Sequence, residues 1–296
     1  MLLKLLDIVL PVFLVAAVGF LFGKFSTRRR GAPDMDFINY ANVMVFCPAL
    51  IFSALLNNPV NLAHGWPLIV GGTLIIVVPG MLLTLIRRPG LSRAAFLSAG
   101  MYRNTGNLGI PLMMLAYGKG QLGDIVVLFT ISNLLGFSVG PFLLSGRRER
   151  WQWLLNPNIW AAILGIAVMP YRHAIPGFVT TAIDLTGQIA IPLMLFGLGV
   201  RIAQSQLGQL GLALRVNGLY LLAGLLCLPL LWLLPLTPAW QRLLVLSALL
   251  PPAVTNYVLA EQYHVAPRSV ANVVMLGNLL SIATVPVIVW ATLTWI

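Results

Sequence analysis

The stretch Arg103-Asn104-Thr105-Gly106-Asn107-Leu108-Gly109-Ile110-Pro111 decides the reading of this chain, because it lies within an apolar run long enough to cross a membrane. Hydrocarbon offers no water to backbone or amide groups. Polar residues in a weakened helix survive there only when buried in protein or lining a wet cavity, so the stretch points to a transport site. Pro111 removes a backbone donor and loosens the preceding turn, while Gly106 and Gly109 permit close approach of a helix or a substrate.

A counterpart lies in the second half, where Pro251-Pro252-Ala253-Val254-Thr255-Asn256-Tyr257 interrupts another apolar run. Laying Arg93 on Arg242, Ser98 on Ser247 and Asn107 on Asn256 gives a constant offset of 149 residues. Asn133-Leu134-Leu135 with Pro141 recurs as Asn278-Leu279-Leu280 with Pro286 at an offset of 145, and Pro48 with Phe52 recurs as Pro192 with Phe196 at 144. Landmarks in the same order in both halves describe an internal repeat. Interrupted helices at corresponding places of such a repeat point to the binding site of a secondary transporter.

Composition agrees: 59% hydrophobic and 8% charged residues, with mean hydropathy +0.93 over 296 residues, indicate a multi-pass membrane protein. The first apolar stretch, about residues 3–23, is too long for a cleaved signal peptide and lacks a small-residue processing site, so it is expected to remain as the first span. Cys47 and Cys227 both lie in apolar segments and read as small buried side chains rather than a disulfide.

At about 20 residues per span, helices are expected near 3–23, 35–56, 65–86, 94–117, 122–144, 156–171, 177–200, 208–234, 240–263 and 268–294. They divide into two repeats of five, residues 1–150 and 151–296. An odd number per repeat turns the halves upside down relative to each other. The expected fold class is therefore an all-α integral membrane protein of ten transmembrane helices in two inverted five-helix repeats, with helices four and nine broken.

Thirteen of the basic residues fall in alternate connections: Lys24, Arg28, Arg29 and Arg30, then Arg87, Arg88 and Arg93, then Arg147, Arg148 and Arg150, then Arg201 and Arg215, and finally Arg268. The opposite side holds Lys4, Lys119, Arg172 and Arg242. By the positive-inside rule the first set is cytoplasmic and both termini face outward across the cell's inner (plasma) membrane. The net charge of +11 thus reports orientation and contact with anionic lipid, and no nucleic-acid partner is needed to explain it. Trp66, Trp151, Trp153, Trp240 and Trp295 sit near span ends, as interfacial anchors do.

A substrate-binding set follows from the two interruptions: Arg103, Asn104, Thr105, Asn107, Pro111, Pro251, Pro252, Asn256 and Tyr257. Half-helix N-termini at these breaks carry partial positive charge, which favours anions. Asn107 and Asn256 hold both donors and acceptors, suited to bridging exposed backbone or meeting a carboxylate. Arg103 costs at least about 2.5–3.5 kcal/mol at the centre of a span and needs a partner. That partner is an internal acid, unwound carbonyls or a substrate carboxylate, which arginine grips bidentately. Asp184, Gln188, Asn133 and Asn278 form a coupling or gating set, with a permanent ion pair for Asp184 and plain helix-to-helix hydrogen bonds for the asparagines as the alternatives. Asn39 and Asn42 read as interhelical bonds or gate residues, and Asp124 as a solvated helix end.

No cofactor is expected beyond coupling to H+ or Na+. His64, His173 and His264 fall near interfaces, which argues against a metal site, and an intramembrane enzyme lacks its His-Glu-x-x-His or a second membrane aspartate beside Gly123-Asp124. The competing class is an ion channel or membrane sensor on the same scaffold. A channel requires an open polar path, whereas the breaks here are two localised points.

The run 104–111, the Leu-Pro-Pro-Ala of 250–253 leading to Tyr257-Val258-Leu259-Ala260-Glu261-Gln262-Tyr263, and Gly277-Asn278 resemble the auxin efflux carrier family over essentially the whole chain. That family contains plant auxin exporters and bacterial permeases for malonate, malate and related organic acids. The resemblance implies a scaffold domain from spans one, two, six and seven and a transport domain from spans three to five and eight to ten. It also implies that spans four and nine cross at their breaks, with substrate beside the crossing. Asn107, Pro111, Asn256 and the Pro251-Pro252 pair match the family's crossover pattern; Arg103 has no counterpart in the second half, where Pro252 stands at the same offset. The long cytoplasmic loop of plant exporters is replaced by the short link 146–152. The implied function is a carrier for small carboxylates working by alternating access, and a homodimer through the scaffold is the expectation from analogous transporters.

Overall fold

A computed structural model describes residues 2–296 apart from 32, 62, 63, 88, 89, 146–151, 206 and 207. Arg88, Arg147, Arg148, Arg150 and Trp151 therefore lie outside the described residues, as do the side chains of Lys4, Arg29, Arg30 and Trp153. The described chain is helical, without a β-strand. In order it forms α1 (Leu2–Arg30), α2 (Asp36–Asn57), α3 (Trp66–Leu83), α4a (Arg93–Met101), α4b (Ile110–Tyr117), α5 (Leu122–Ser145), α6 (Pro157–Val168), α7 (Gly177–Gln204), α8 (Leu210–Cys227), α9a (Pro238–Leu249), α9b (Thr255–Gln262) and α10 (Pro267–Trp295). Seven of them, α1, α2, α3, α5, α7, α8 and α10, are long and apolar enough to cross a membrane, α5 and α8 with their flanking 3-10 turns. Large apolar side chains cover the outside, among them Leu14 and Phe22 of α1 and Trp232 and Leu233 after α8, a surface that suits lipid.

The irregularities follow from proline. A proline ring clashes with the carbonyl four residues earlier and leaves that turn without its donor. Pro48 disturbs the turn around Met44, and α2 carries a π-turn at Asn42–Phe46. Its repeat mate Pro192 stands four residues after Gln188, where α7 breaks into Gly177–Gln188 and Ala190–Gln204. Pro111 stands four residues after Asn107, inside the π-turn Thr105–Gly109 that separates α4a from α4b. In the second half, Leu250 and Pro251 each precede a proline and so favour extended backbone; Leu250 has ψ 155°, and α9a stops there.

The tightest seam joins α1 to α7. A Cβ at Gly19 would stand 2.1 Å from the Phe196 carbonyl oxygen, and one at Gly199 would stand 1.8 Å from that of Ala16. Small residues here bring two backbones into contact, the usual way membrane helices gain packing without a hydrophobic drive. α2 packs on α6 and on α7, while α3, α8 and α10 pack together with α4a, α5 and α9b alongside them.

Candidate functional site at the meeting of two helix breaks

The two interruptions touch. Arg103 and Pro252 form an isolated antiparallel bridge. Around it the Asn104 N–H donates to the Pro251 carbonyl at 2.8 Å and the Ala253 N–H donates to the Tyr102 carbonyl at 2.9 Å. Each break thus satisfies backbone groups that the other leaves exposed, as a non-helical segment inside a membrane protein must.

Side chains complete the joint. Asn256 Nδ2 donates to the Tyr102 carbonyl at 2.9 Å and, more weakly, to that of Ala99 at 3.5 Å. From α10, Asn278 Nδ2 donates to the Pro252 carbonyl at 3.1 Å, and its Oδ1 accepts from Asn104 Nδ2 at 2.6 Å. Asn278 therefore clamps both breaks at once. Its Nδ2 also returns to the Val274 carbonyl of its own helix at 2.8 Å, as that of its repeat mate Asn133 does to Phe129 at 2.9 Å, but Asn133 reaches neither break and its Oδ1 accepts from Asn156 at 3.4 Å.

Arg103 is 4% exposed and reaches away from the bridge toward α8, where its Nη2 donates to the Tyr220 carbonyl at 2.7 Å and its Cζ lies 5.9 Å from the Tyr220 ring centre. Tyr220 is held in turn by its hydroxyl donating to the Phe96 carbonyl at 2.8 Å. Among the described residues no acid pairs with Arg103, and its Nε has no partner. Of the partners weighed from sequence, the structure supplies a carbonyl, though one from an intact helix.

Against the joint lies a cavity of about 440 Å³. Of the residues expected at the substrate site, Arg103, Asn104, Thr105, Asn107 and Asn256 line it, as does Asn133 from the gating set. Pro251 and Pro252 face a smaller cavity of about 170 Å³ on the α8 and α10 side. Pro111 acts through the π-turn, and Tyr257, Asp184, Gln188 and Asn278 are not on the wall of the larger cavity. Asn107 makes no side-chain hydrogen bond among the described residues and so presents its whole amide to the cavity. Asn42, Asn158 and Asn256 each hold a buried Oδ1 without a partner, and all three line the same wall. A concave space lined by several polar side chains, with the Asn107 amide free to bond, is what a small-molecule site needs.

Asp184 sits between α7 and α2, where Ser53 Oγ and Asn57 Nδ2, the latter at 3.1 Å, both donate to its Oδ1. Gln188 is exposed. Asp124 is half-buried and accepts from Trp240 Nε1 at 2.9 Å, which ties α5 to α9a. No cluster of three metal-ligating side chains occurs among the described residues.

Sequence reasoning passed over several wall residues: Asp36, Ser132, Asn158, Arg201 and Gln262. Asn158 follows a helix-starting Pro157, and Arg201 belongs to the last turn of α7 rather than to the connection after it.

A family model described as membrane transport protein matches residues 5–289. The chain is 27% identical to the Rhizobium meliloti (strain 1021) protein named "Putative malonate transporter" over 305 aligned residues, covering 95% of this chain and 94% of the relative. It is 26% identical over 156 residues to the Oryza sativa subsp. japonica protein named "Probable auxin efflux carrier component 5c", covering 48% of this chain and 40% of that one.

Proposed function

Because the chain belongs to the membrane transport protein family, that of the auxin efflux carriers, we propose that it is a secondary carrier of small organic anions, working by alternating access at the joint between α4 and α9. The observation that supports this best is the free Asn107 amide, which faces a cavity of about 440 Å³ beside two helix breaks that complete each other. In this reading α4 and α9 also cross the membrane, α6 with its 3-10 turn spans it as a short helix, and ten crossings form two inverted repeats. The seam of α1 with α7, together with α2 and α6, is the scaffold; α3 to α5 and α8 to α10 are the moving part.

The substrate carboxylate is met by Asn107 and by the positive ends of α4b and α9b. Asn104, Thr105 and Asn256 shape the surrounding wall, and Tyr257 stands just behind it. Arg103 lends positive potential from behind the joint, with no acid beside it to cancel that potential. The cavity wall includes Asp36 at the start of α2, Arg201 in the last turn of α7 and Gln262 at the end of α9b, at the helix ends where Arg28, Arg201, Arg215 and Arg268 also fall. By the positive-inside rule the cavity then opens to the cytoplasm, and the termini lie outside the inner membrane. Asp184, bridged to Ser53 and Asn57, is the acid for coupling to H+ or Na+, and two scaffolds pair in a homodimer. The name of the Rhizobium meliloti relative directs the choice of first substrate to malonate.

The test is uptake of radiolabelled malonate, malate and indole-3-acetate into proteoliposomes, with and without a pH or sodium gradient. Native protein is compared with Asn107→Ala and Asn256→Ala. Saturable uptake lost in both variants, while each still elutes as one folded species, is the expected result. Unchanged uptake in both removes the joint as the site.

A further inference from the structure

We propose that Arg201 is a second carboxylate-recognition group of this cavity, so that the site selects doubly charged short-chain acids over singly charged ones. The inference rests on the carrier reading above and adds to it a residue and a selectivity.

Arg201 lines the same cavity as Asn107 and Asn256 but comes from the last turn of α7 and not from either break. It is half-buried, yet among the described residues it makes no hydrogen bond and no ion pair. The groups that act on it electrostatically are the Asp36 carboxylate, also on the cavity wall, and Tyr257, the residue just after Asn256. An arginine in a partly desolvated wall without a bonded partner is a ready site for a carboxylate, which its planar fork holds by two parallel charge-assisted bonds.

Asp36 sits close enough to be felt and too far to pair, so it acts as a weak internal competitor that an incoming anion displaces. The break in α4 offers the same cavity a different kind of recognition: the Asn107 side-chain amide, whose N–H groups are free to donate to an anion. The Asn107 N–H groups meet one carboxylate and the Arg201 cation meets the other. A monocarboxylate satisfies only one end, which leaves Arg201 to Asp36.

Malonate and its half-amide malonamate have nearly the same shape and differ by one charge, so they isolate this contact. In proteoliposomes containing the full chain, native protein is expected to prefer malonate. Losing a charge-assisted contact costs roughly 10- to 100-fold, so Arg201→Gln should raise the malonate KM by that factor and bring the malonate-to-malonamate ratio toward one. Arg201→Lys, which keeps charge but not the fork, should retain part of the preference. Asp36→Asn, which removes the competitor, should lower the malonate KM, a gain that a misfolded protein cannot produce.

A malonate-to-malonamate ratio unchanged in Arg201→Gln, or a malonate KM that does not fall in Asp36→Asn, overturns the assignment. If native protein carries indole-3-acetate and malonamate as well as malonate, the carrier reading stands and the role of Arg201 falls. If it carries none of the three, both fall together.

Discussion

The two helix breaks occupy equivalent places in the repeat, yet they use their asparagines in opposite ways. Asn256 is 2% exposed and spends its amide nitrogen on the carbonyls of Tyr102 and Ala99 in the other half. Asn107 is partly exposed, and its side chain makes no hydrogen bond among the described residues. A related difference recurs one helix later, where both asparagines bond their own helix but only Asn278 clamps the breaks, while Asn133 meets the Asn156 side chain. At the breaks the second half thus spends its asparagine on the joint, and the first keeps Asn107 available. A repeat gives both copies the same residue; which one is consumed by folding depends on what the opposite half brings against it.

The strongest way to break that comparison is Asn278→Ala. It orphans the Asn104 side-chain nitrogen and removes a bond to the Pro252 carbonyl at a fully buried point, and each buried group left unsatisfied costs about 1–3 kcal/mol. Thermal unfolding in detergent, followed by tryptophan fluorescence, should show a fall of several degrees. A melting curve like that of native protein would mean that the clamp is not a source of stability.

Asn256→Ala should rank second. The Tyr102 carbonyl keeps the Ala253 N–H as a donor, so what is lost is one good hydrogen bond and the weak 3.5 Å one to Ala99, about 1 kcal/mol together. Transport should fall as well, since Asn256 lines the cavity and fixes the break beside it. Asn107→Ala should separate the two properties: stability within about 0.5 kcal/mol of native, as for a residue without structural bonds, with malonate uptake reduced at least about tenfold, the loss of one good contact. If Asn107→Ala destabilises as much as Asn256→Ala, the division of labour between the breaks is wrong.

Much of this was legible before the coordinates. Three of the proline-linked irregularities, at Met44, Asn107 and Gln188, obey the four-residue rule that any reader of the sequence can apply to Pro48, Pro111 and Pro192. The matched offsets located both breaks. What could not be read was the inequality between Asn107 and Asn256, because it is decided by carbonyls some 150 residues away in the chain. Arg201 was assigned to a connection for a related reason: an arginine ends an apolar run in hydropathy whether or not the helix continues, and here it continues to Gln204. Asn158 and Ser132 lie in uninterrupted helices, where a polar residue facing a cavity has the same sequence signature as one bonded to a neighbour.

The smallest effect belongs to Asn133→Ala, and it sharpens the comparison most narrowly. The bond from Asn133 Nδ2 returns to its own helix, and the contact with Asn156 is long at 3.4 Å, so the folded state loses little, within about 0.5 kcal/mol. Yet that contact joins α5 to the chain just before α6, across the line where the moving part meets the scaffold in the carrier reading. A weak bond at such a line stabilises the state in which it forms and must break for the cavity to change sides. Removing it should therefore leave the melting curve unmoved while the uptake rate rises by about two-fold, the size of effect that 0.5 kcal/mol produces in a barrier. A melting shift as large as that of Asn278→Ala would make the two asparagines structural equals, and the asymmetry between the halves would then be confined to the breaks themselves.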